Sequence, residues 1–221
     1  MGWKYSLGKE ENVLGDNMKK FGTAVILAGG KSTRMGFDKQ LLKIDERRLI
    51  DNLRNKLNKT FDEIIVVTNK SEYYLGFSDK ITKDIIVGKG PLSGIHVGLV
   101  EANSHYVYFV ACDMPNINME YIDYMMEELE NLEVKACVTR YGKWIEPFNA
   151  FYSKDMIWDI EQHLLQGARS VNSLLDKLEV HYIEEEMART FSPNWDMFLN
   201  LNTKEDLEYF LKIIGRENWG I

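Results

Sequence analysis

The chain has 221 residues, 45% of them hydrophobic and 28% charged, a balance typical of a globular protein with a sizeable buried core. Its formal net charge of -7 and isoelectric point near 5.2 argue against a broad basic face for nucleic acid. No apolar stretch reaches the roughly 20 residues of a membrane span, and Met1 to Asn17 lacks the apolar core of a signal peptide. We therefore expect a cytoplasmic protein with no nucleic-acid or membrane partner.

The chain divides into a short extension and one long domain. Residues 1–20 are polar, mixed in charge and without sustained periodicity, which predicts a flexible N-terminal extension. Because Met18-Lys19-Lys20 directly precedes the first strand, we hypothesise that Met18 is the natural start or that the lead is dispensable. Residues 21–221 contain no internal repeat and no Pro-, Gly- or Ser-rich linker. We therefore predict a single domain over residues 21–221.

The first predicted strand opens into a glycine-rich loop. Thr23 to Leu27 is an unbroken apolar run, typical of a strand buried on both faces, and Gly29 and Gly30 follow it closely. Glycines let backbone N–H groups approach an anion, so we interpret the loop as a polyphosphate site. A simple glycine turn with solvated basic residues is the alternative. The positive charges along this loop are Lys31, Arg34 and Lys39.

Two common phosphate motifs do not fit this loop, whereas a third signature does. A P-loop ending at Gly30 needs another glycine where Val25 stands, and G-x-G-x-x-G fails because Gly29 and Gly30 are adjacent. The loop instead resembles the signature of the molybdenum cofactor guanylyltransferases, a family of nucleotidyltransferases. The matching residues are Leu27-Ala28-Gly29-Gly30, Ser32, Arg34-Met35-Gly36 and Asp38-Lys39. The resemblance implies nucleotide binding by Leu27, Ala28, Gly29, Gly30 and Lys39, and it extends to about Leu211.

The next elements predict the fold class. Leu49 to Lys59 has apolar residues at helical spacing, and Glu63 to Thr68 is a second buried strand. Strand, helix and strand, with both strands apolar, predict a parallel sheet with right-handed crossovers. Together with the family resemblance, this implies a Rossmann-like three-layer α/β/α nucleotidyltransferase fold with a mostly parallel sheet. Asn69 follows the second strand, at the edge where such sheets bind ligands. It is interpreted either as a hydrogen-bonding partner of the nucleotide or as a turn-forming residue.

A second motif follows Asp84. The segment Gly90-Pro91-Leu92-Ser93-Gly94-Ile95 resembles the family motif that contacts the guanine nucleotide, with Asp84 as its preceding acid. A carboxylate suits guanine because it accepts from both N1–H and the exocyclic amine. A solvated turn is the alternative for Asp84. The resemblance assigns nucleotide contacts to Asp84, Gly90, Pro91, Leu92 and Gly94, and we expect a helix over residues 94–102 capped by Ser93.

A third motif ends the predicted strand Tyr106 to Cys112. Asp113 follows that strand directly, and Pro115 restricts the turn. An aspartate at this position is suited to Mg²⁺, which needs few protein carboxylates when phosphates and water complete its shell. Cys112-Asp113-Met114-Pro115 also resembles a family motif whose aspartate is the magnesium ligand. A helix-capping aspartate is the alternative.

The C-terminal half predicts helices over 117–132, 156–166 and 172–178, and strands over 134–139, 146–152 and 180–183. Glu146 precedes Pro147 where many relatives of this family have histidine, so the sequence leaves the pterin contact at this position open. The family resemblance suggests pterin contacts for Arg169, Asn200 and Asn202, although a surface position is the alternative for Arg169. Thr203 and Asp206 are spaced as a capping box for the last helix.

The family resemblance implies transfer of GMP from GTP to the terminal phosphate of metal-loaded molybdopterin, with release of pyrophosphate and Mg²⁺ as cofactor. It makes Arg34, Lys39 and Asp113 the catalytic residues, through charge stabilisation and positioning. It also implies transient contact with a molybdoenzyme or its chaperone. The alternatives are a CTP-dependent molybdopterin cytidylyltransferase, whose members typically carry alanine where Gly29 stands, another small-acceptor nucleotidyltransferase, and a non-catalytic nucleotide-binding regulator.

Overall fold

The computed structural model describes residues 18–29, 38–77, 79–86, 88–216 and 219–220. The strands of the described residues are β1 (Thr23–Leu27), β2 (Lys43–Ile44), β3 (Arg47–Arg48), β4 (Glu63–Val67), β5 (Lys80–Thr82), β6 (Tyr106–Ala111), β7 (Ala136–Tyr141), β8 (Trp144–Ser153), β9 (Val180–Glu184) and β10 (Trp219–Gly220). Seven of them form the main sheet, in the order β5-β4-β1-β6-β8-β7-β9, in which β8 runs antiparallel to both of its neighbours. The predicted mostly parallel sheet is confirmed.

Helices cover both faces of this sheet. One apolar core joins the sheet to α1, α3 and α6, and a second joins its other face to α2, α4 and α5. The helices are α1 (Leu49–Leu57), α2 (Pro91–Glu101), α3 (Met119–Leu129), α4 (Ile157–Leu165), α5 (Val171–Leu175), α6 (Glu185–Phe191) and α7 (Lys204–Ile213). The arrangement is the predicted three-layer α/β/α fold, because three helices on each face bury their apolar residues against the sheet.

A small second sheet lies beside the main one. It has the order β10-β2-β3, and with α7 it encloses a third apolar cluster that includes Leu42 and Leu201. The β2–β3 turn consists of Asp45 and Glu46, with φ of 48° and 66°, the backbone twist that a two-residue hairpin requires. The apolar pattern missed these elements because each strand has two residues.

The predicted start of α2 is wrong. The helix begins at Pro91, not at Gly94, because proline suits the first helical turn and Gly90 adopts the left-handed conformation before it, with φ of 76°. Ser93 therefore lies inside the helix and is not its cap, and its buried hydroxyl has no partner among the described residues. Two further elements, α6 and β5, are not among those that the sequence predicted.

The segment before β1 is described from Met18 onward, so residues 1–17 of the predicted extension lie outside the described residues. Lys19 and Lys20, assigned to that extension, accept backbone hydrogen bonds from His105 and Tyr106 at 2.9 and 2.8 Å. Across the described part of the chain, no helix is both long enough and apolar enough to cross a membrane.

Candidate active site

A cavity of about 370 Å³ lies at the carboxyl ends of β1, β4 and β6. This edge is where parallel α/β sheets bind ligands, because the loops that leave adjacent strands meet there. Its lining comprises Leu27, Gly29, Val67, Thr68, Asn69, Asp84, Gly90, Pro91, Gly94, Ala111, Asp113, Phe148 and Asn200. A larger open groove at the opposite edge of the sheet contains none of the predicted site residues among its described lining.

One end of this cavity is formed by α2 and the end of β4. A Cβ at Gly94 would lie 2.9 Å from Cδ2 of Leu27, so glycine permits close contact between helix and strand. Asn69 donates to the carboxylate of Asp84 over 3.5 Å. Burial raises the pKa of the Asp84 carboxyl above its ordinary value, and the hydrogen bond from Asn69 opposes that shift. The two side chains together present an amide and a half-buried carboxylate to the cavity.

Another part of the lining is formed by Asp113, which belongs to a cluster of three side chains from distant parts of the chain. Lys39 Nζ lies 3.1 Å from Asp113 Oδ2 and 2.6 Å from Asn202 Oδ1. The Leu201 N–H donates to the Asp113 carbonyl over 2.9 Å, which holds the C-terminal turn against the turn after β6. Asn200, also in that turn, lines the cavity. The structure therefore brings the first, third and last motifs to a single ion-paired cluster.

Lys39 is itself held in place by its neighbours in the sequence. It begins a short 3₁₀ turn, and Asp38 caps this turn by accepting from the Gln40 N–H over 3.1 Å. Asp38 also forms an ion pair with Lys70 at the end of β4. The buried Gln40 side chain accepts from Thr68 Oγ1 at 3.1 Å and from the Tyr74 hydroxyl at 2.9 Å. The backbone that carries Lys39 is thus anchored to β4 at two adjacent residues.

Some predicted residues have other environments. Ala28 and Leu92 are fully buried, and their side chains pack in the two apolar cores of the main sheet. Arg169 is exposed just before α5 and is not part of the cavity lining. Gly30 and Arg34 lie outside the described residues. The sequence reasoning missed Phe148 and Ala111 as lining residues, although both lie next to quoted motifs.

The Asp113 carboxylate suits a hard divalent cation that binds at this site at the same time as a nucleotide. The Asp113 side chain is 23% exposed and lies in the cavity wall, so one of its oxygens is accessible to a ligand. The described residues contain no group of three or more His, Cys, Asp or Glu side chains that could hold a metal ion without other ligands. Mg²⁺ needs few protein carboxylates when phosphate and water oxygens complete its octahedron.

A family model described as the MobA-like NTP transferase domain matches residues 24–182, which cover the strands and motifs that build this site. The chain belongs to the MobA-like NTP transferase family. The predicted family and enzyme class, a nucleotidyltransferase, are confirmed.

Two relatives and one solved structure extend the similarity of this MobA-like chain beyond the matched domain. A protein of Syntrophotalea carbinolica, named molybdenum cofactor guanylyltransferase, is 55% identical over 189 residues, 86% of this chain and 90% of the relative. A Peptoclostridium acidaminophilum protein, named probable molybdenum cofactor guanylyltransferase, is 49% identical over 207 residues, 91% of this chain and 94% of the relative. The crystal structure of molybdopterin-guanine dinucleotide biosynthesis protein A from Archaeoglobus fulgidus is 26% identical, with a TM-score of 0.77, over 87% of this chain and 98% of that one.

Proposed function

We propose that this chain transfers GMP from GTP to the terminal phosphate of metal-loaded molybdopterin. An acceptor phosphate oxygen forms a bond to the α-phosphorus of GTP, the bond between that phosphorus and the bridging oxygen breaks, and pyrophosphate leaves with the electron pair. The products are the guanine dinucleotide cofactor and pyrophosphate. The observation that carries this proposal is one cavity whose lining contains Asp113, the partner of Lys39, together with the Asp84–Asn69 pair.

The chain's own side chains have distinct tasks in this reaction. The backbone of Gly29 and Gly30 binds phosphate oxygens, while Lys39 and Arg34 stabilise the charge that develops on pyrophosphate. Asp84 accepts from N1–H and the exocyclic amine of guanine, and Asn69 holds it in place. Asn200 and Asn202, with Arg169, contact the acceptor. Because the reaction needs no covalent nucleophile, positioning and charge neutralisation supply the catalysis.

Nucleotidyltransferases of this family generally use a divalent cation. In this chain we assign that role to Mg²⁺, held by Asp113. The ion supplies charge neutralisation and orientation of the phosphates. Further parts of the proposal are a cytoplasmic location, a single catalytic domain over residues 21–221, and transient contact with a molybdoenzyme or its chaperone that receives the product.

Isothermal titration calorimetry with GTP, ITP, CTP, ATP and UTP, each with and without Mg²⁺, tests the nucleotide assignment. We expect the tightest binding for GTP with Mg²⁺, weaker binding for ITP, which lacks the exocyclic amine, and loss of that preference in Asp84→Ala. A preference for CTP would instead indicate a cytidylyltransferase. An assay for guanine dinucleotide formation from molybdopterin then tests the transfer itself.

A further inference from the structure

A buried asparagine interrupts the apolar pattern of β8. Asn149 and Phe151 are two residues apart on this strand, so their side chains lie on the same face of the sheet. Phe151 belongs to the apolar core against α1, α3 and α6, and Asn149 is fully buried. An amide in such a place destabilises the core unless its oxygen and its nitrogen both find partners. The proposed function gives this residue no task.

Both ends of the Asn149 amide are paired. Its Oδ1 accepts from the Tyr108 hydroxyl at 2.6 Å, and its Nδ2 donates to the Met197 carbonyl over 3.3 Å. Because a carbonyl oxygen only accepts, the NH₂ group must face Met197 and the amide oxygen must face Tyr108. Burial raises the pKa of the Tyr108 hydroxyl well above its ordinary value, so this group stays protonated and can donate. The two partners therefore fix the orientation of the amide.

Met197 begins the stretch of chain that reaches the candidate active site. Three residues further on, Asn200 lines the cavity, and Asn202 accepts from Lys39 Nζ at 2.6 Å. We define the C-terminal turn as residues 197–202. A displacement of this turn moves a side chain that lines the cavity and another that contacts Lys39.

The C-terminal turn is attached to the rest of the fold at both of its ends. At its far end, the Leu201 N–H donates to the Asp113 carbonyl over 2.9 Å. At its beginning, the Met197 N–H donates to Ser192 Oγ over 3.2 Å. Ser192 follows α6 and belongs to the same stretch of chain, whereas Asn149 belongs to a strand inside the main sheet. The bond from Asn149 therefore ties the beginning of the turn directly to the sheet.

We propose that Asn149 is a positioning residue, whose amide fixes the C-terminal turn on the sheet and, through Asn202, sets the position of the Lys39 ammonium. This inference rests on the proposed function for its effect on turnover. Tyr108 supports it, because its hydroxyl holds the amide in the orientation that donates to Met197. Asn149 and Tyr108 are fully buried and do not belong to the described lining of the cavity, so they act without touching a substrate.

The most direct test is hydrogen exchange of the free protein, followed by mass spectrometry. Asn149→Leu is similar in size to the wild-type side chain but can neither donate nor accept a hydrogen bond. We expect the amides of residues 197–202 to exchange about tenfold faster in this variant, relative to the amides of β1, because the turn opens locally. The measurement needs no substrate, so it tests the anchoring independently of the proposed function.

A second buried polar pair in the same core provides the matched control. The Tyr121 hydroxyl and Thr139 Oγ1 lie 2.5 Å apart, and both residues are fully buried. Tyr108→Phe and Tyr121→Phe each remove one buried hydroxyl and keep the ring, so we expect similar losses in melting temperature. Exchange in residues 197–202, again relative to β1, should rise in Tyr108→Phe and stay at the wild-type rate in Tyr121→Phe.

Two exchange results would overturn the inference. The first is an unchanged rate in residues 197–202 of Asn149→Leu, and the second is an equal rise in Tyr108→Phe and Tyr121→Phe. Thermal melting checks that each variant is folded. Tyr108→Phe is the milder change, and its comparison with Tyr121→Phe decides the question if Asn149→Leu does not fold.

Turnover then measures the positioning of Lys39. In Asn149→Leu we expect kcat to fall about tenfold while the Kd for GTP is unchanged, because Asp84 and Asn69 are paired with each other and not with the C-terminal turn. Faster exchange with a wild-type kcat would overturn the positioning role. Failure of the wild-type protein to form the guanine dinucleotide would instead remove the proposed function, and the exchange rates would still decide whether Asn149 anchors the turn.

Discussion

The two sides of the site are built in different ways. On the nucleotide side, Gly29 and Asn69 follow the parallel strands β1 and β4, so each functional residue comes directly after its strand. On the side that we assign to the acceptor, β8 runs in the opposite direction, and Glu146 and Phe148 stand near the beginning of the strand. Trp195, which donates to Glu146, comes from a turn far along the chain. The nucleotide side is thus a set of local motifs, whereas the acceptor side is assembled by tertiary contacts.

Lys39 lies where the two sides meet, so its removal should have the largest effect. Lys39→Ala loses a charge that stabilises the transition state, and we expect kcat to fall about a hundredfold, or ~3 kcal/mol of barrier. Thermal stability should change little, because the Lys39–Asp113 pair is partly exposed. Lys59→Ala, which removes an exposed lysine after α1, is the control. Near wild-type turnover in Lys39→Ala would exclude Lys39 from catalysis.

A second substitution tests whether the nucleotide side depends on close packing of α2 on the sheet. A Cβ at Gly98 would lie 2.6 Å from Phe109 Cε1 and 3.1 Å from Val25 Cγ1. Gly98→Ala should therefore destabilise the fold by about 2 kcal/mol through overpacking. In a chain of this size that lowers the melting temperature by roughly 4–8 °C, measured by calorimetry.

The control for this prediction is Gly220→Ala, because nothing among the described atoms lies within 4 Å of the added Cβ. Gly94→Ala provides a second comparison for the Gly98→Ala prediction. There the close contact is the flexible end of Leu27, so we expect a smaller loss of stability but weaker GTP binding, since Gly94 lines the cavity. Equal melting temperatures for Gly98→Ala and the wild-type protein would contradict the packing argument.

A third prediction concerns the anchoring of Lys39 to β4. Asp38 pairs with Lys70 and caps the turn that begins at Lys39, so Asp38→Asn should misplace the lysine. We expect kcat to fall about tenfold with little change in melting temperature, because small displacements of a charge-stabilising group are costly. Lys70→Met should have a similar effect, and the double variant should lose little more than either single one.

The comparison for this pair is Asp45→Asn, which removes an exposed ion pair with Arg216 on the small sheet. It should leave kcat unchanged. Fully additive losses from Asp38→Asn and Lys70→Met would show that the two side chains do not act through one contact.

The smallest predicted effect is a pH dependence confined to the nucleotide side. Because burial raises the pKa of Asp84 above the ordinary aspartate value, this carboxyl protonates at a higher pH than an ordinary aspartate as the solution is acidified. Guanine recognition needs the ionised form, so the preference for GTP over ITP should decline several-fold on acidification, beginning above that ordinary value. Calorimetry from neutral to mildly acidic pH measures the ratio of the GTP and ITP affinities. Because both nucleotides carry the same triphosphate, the titration of the phosphates cancels in this ratio.

In Asp84→Asn the GTP to ITP ratio should be low and independent of pH. The stability effect has a definite sign: a raised carboxyl pKa disfavours the folded state above the unfolded pKa, since the unfolded chain ionises first. Asp84→Asn should therefore not lose stability at neutral pH. A ratio that is flat in the wild-type protein would show that Asp84 does not read guanine.

Much of the nucleotide side was predictable from the sequence. The apolar runs around Val25 and Ile65 identified buried parallel strands, and strand direction alone places the residues that follow them at one edge. The capping box of Thr203 and Asp206 was also predictable, and the structure confirms it. Each of these signals is local. A short stretch of chain therefore determines both the strand or helix and the position of the residues next to it.

What the sequence settled was the strand pattern, the fold class and the motifs on the nucleotide side, because periodicity and short-range spacing encode them. The tertiary structure decided the rest. It placed Asn202 2.6 Å from Lys39, anchored Asp38 to Lys70, and set Glu146 beside Trp195. Those contacts join residues far apart in the chain, and they depend on the antiparallel insertion of β8 and on the packing of the C-terminal turn against Asp113. No local pattern encodes such contacts, because they form only when the sheet and its helices close around a common core.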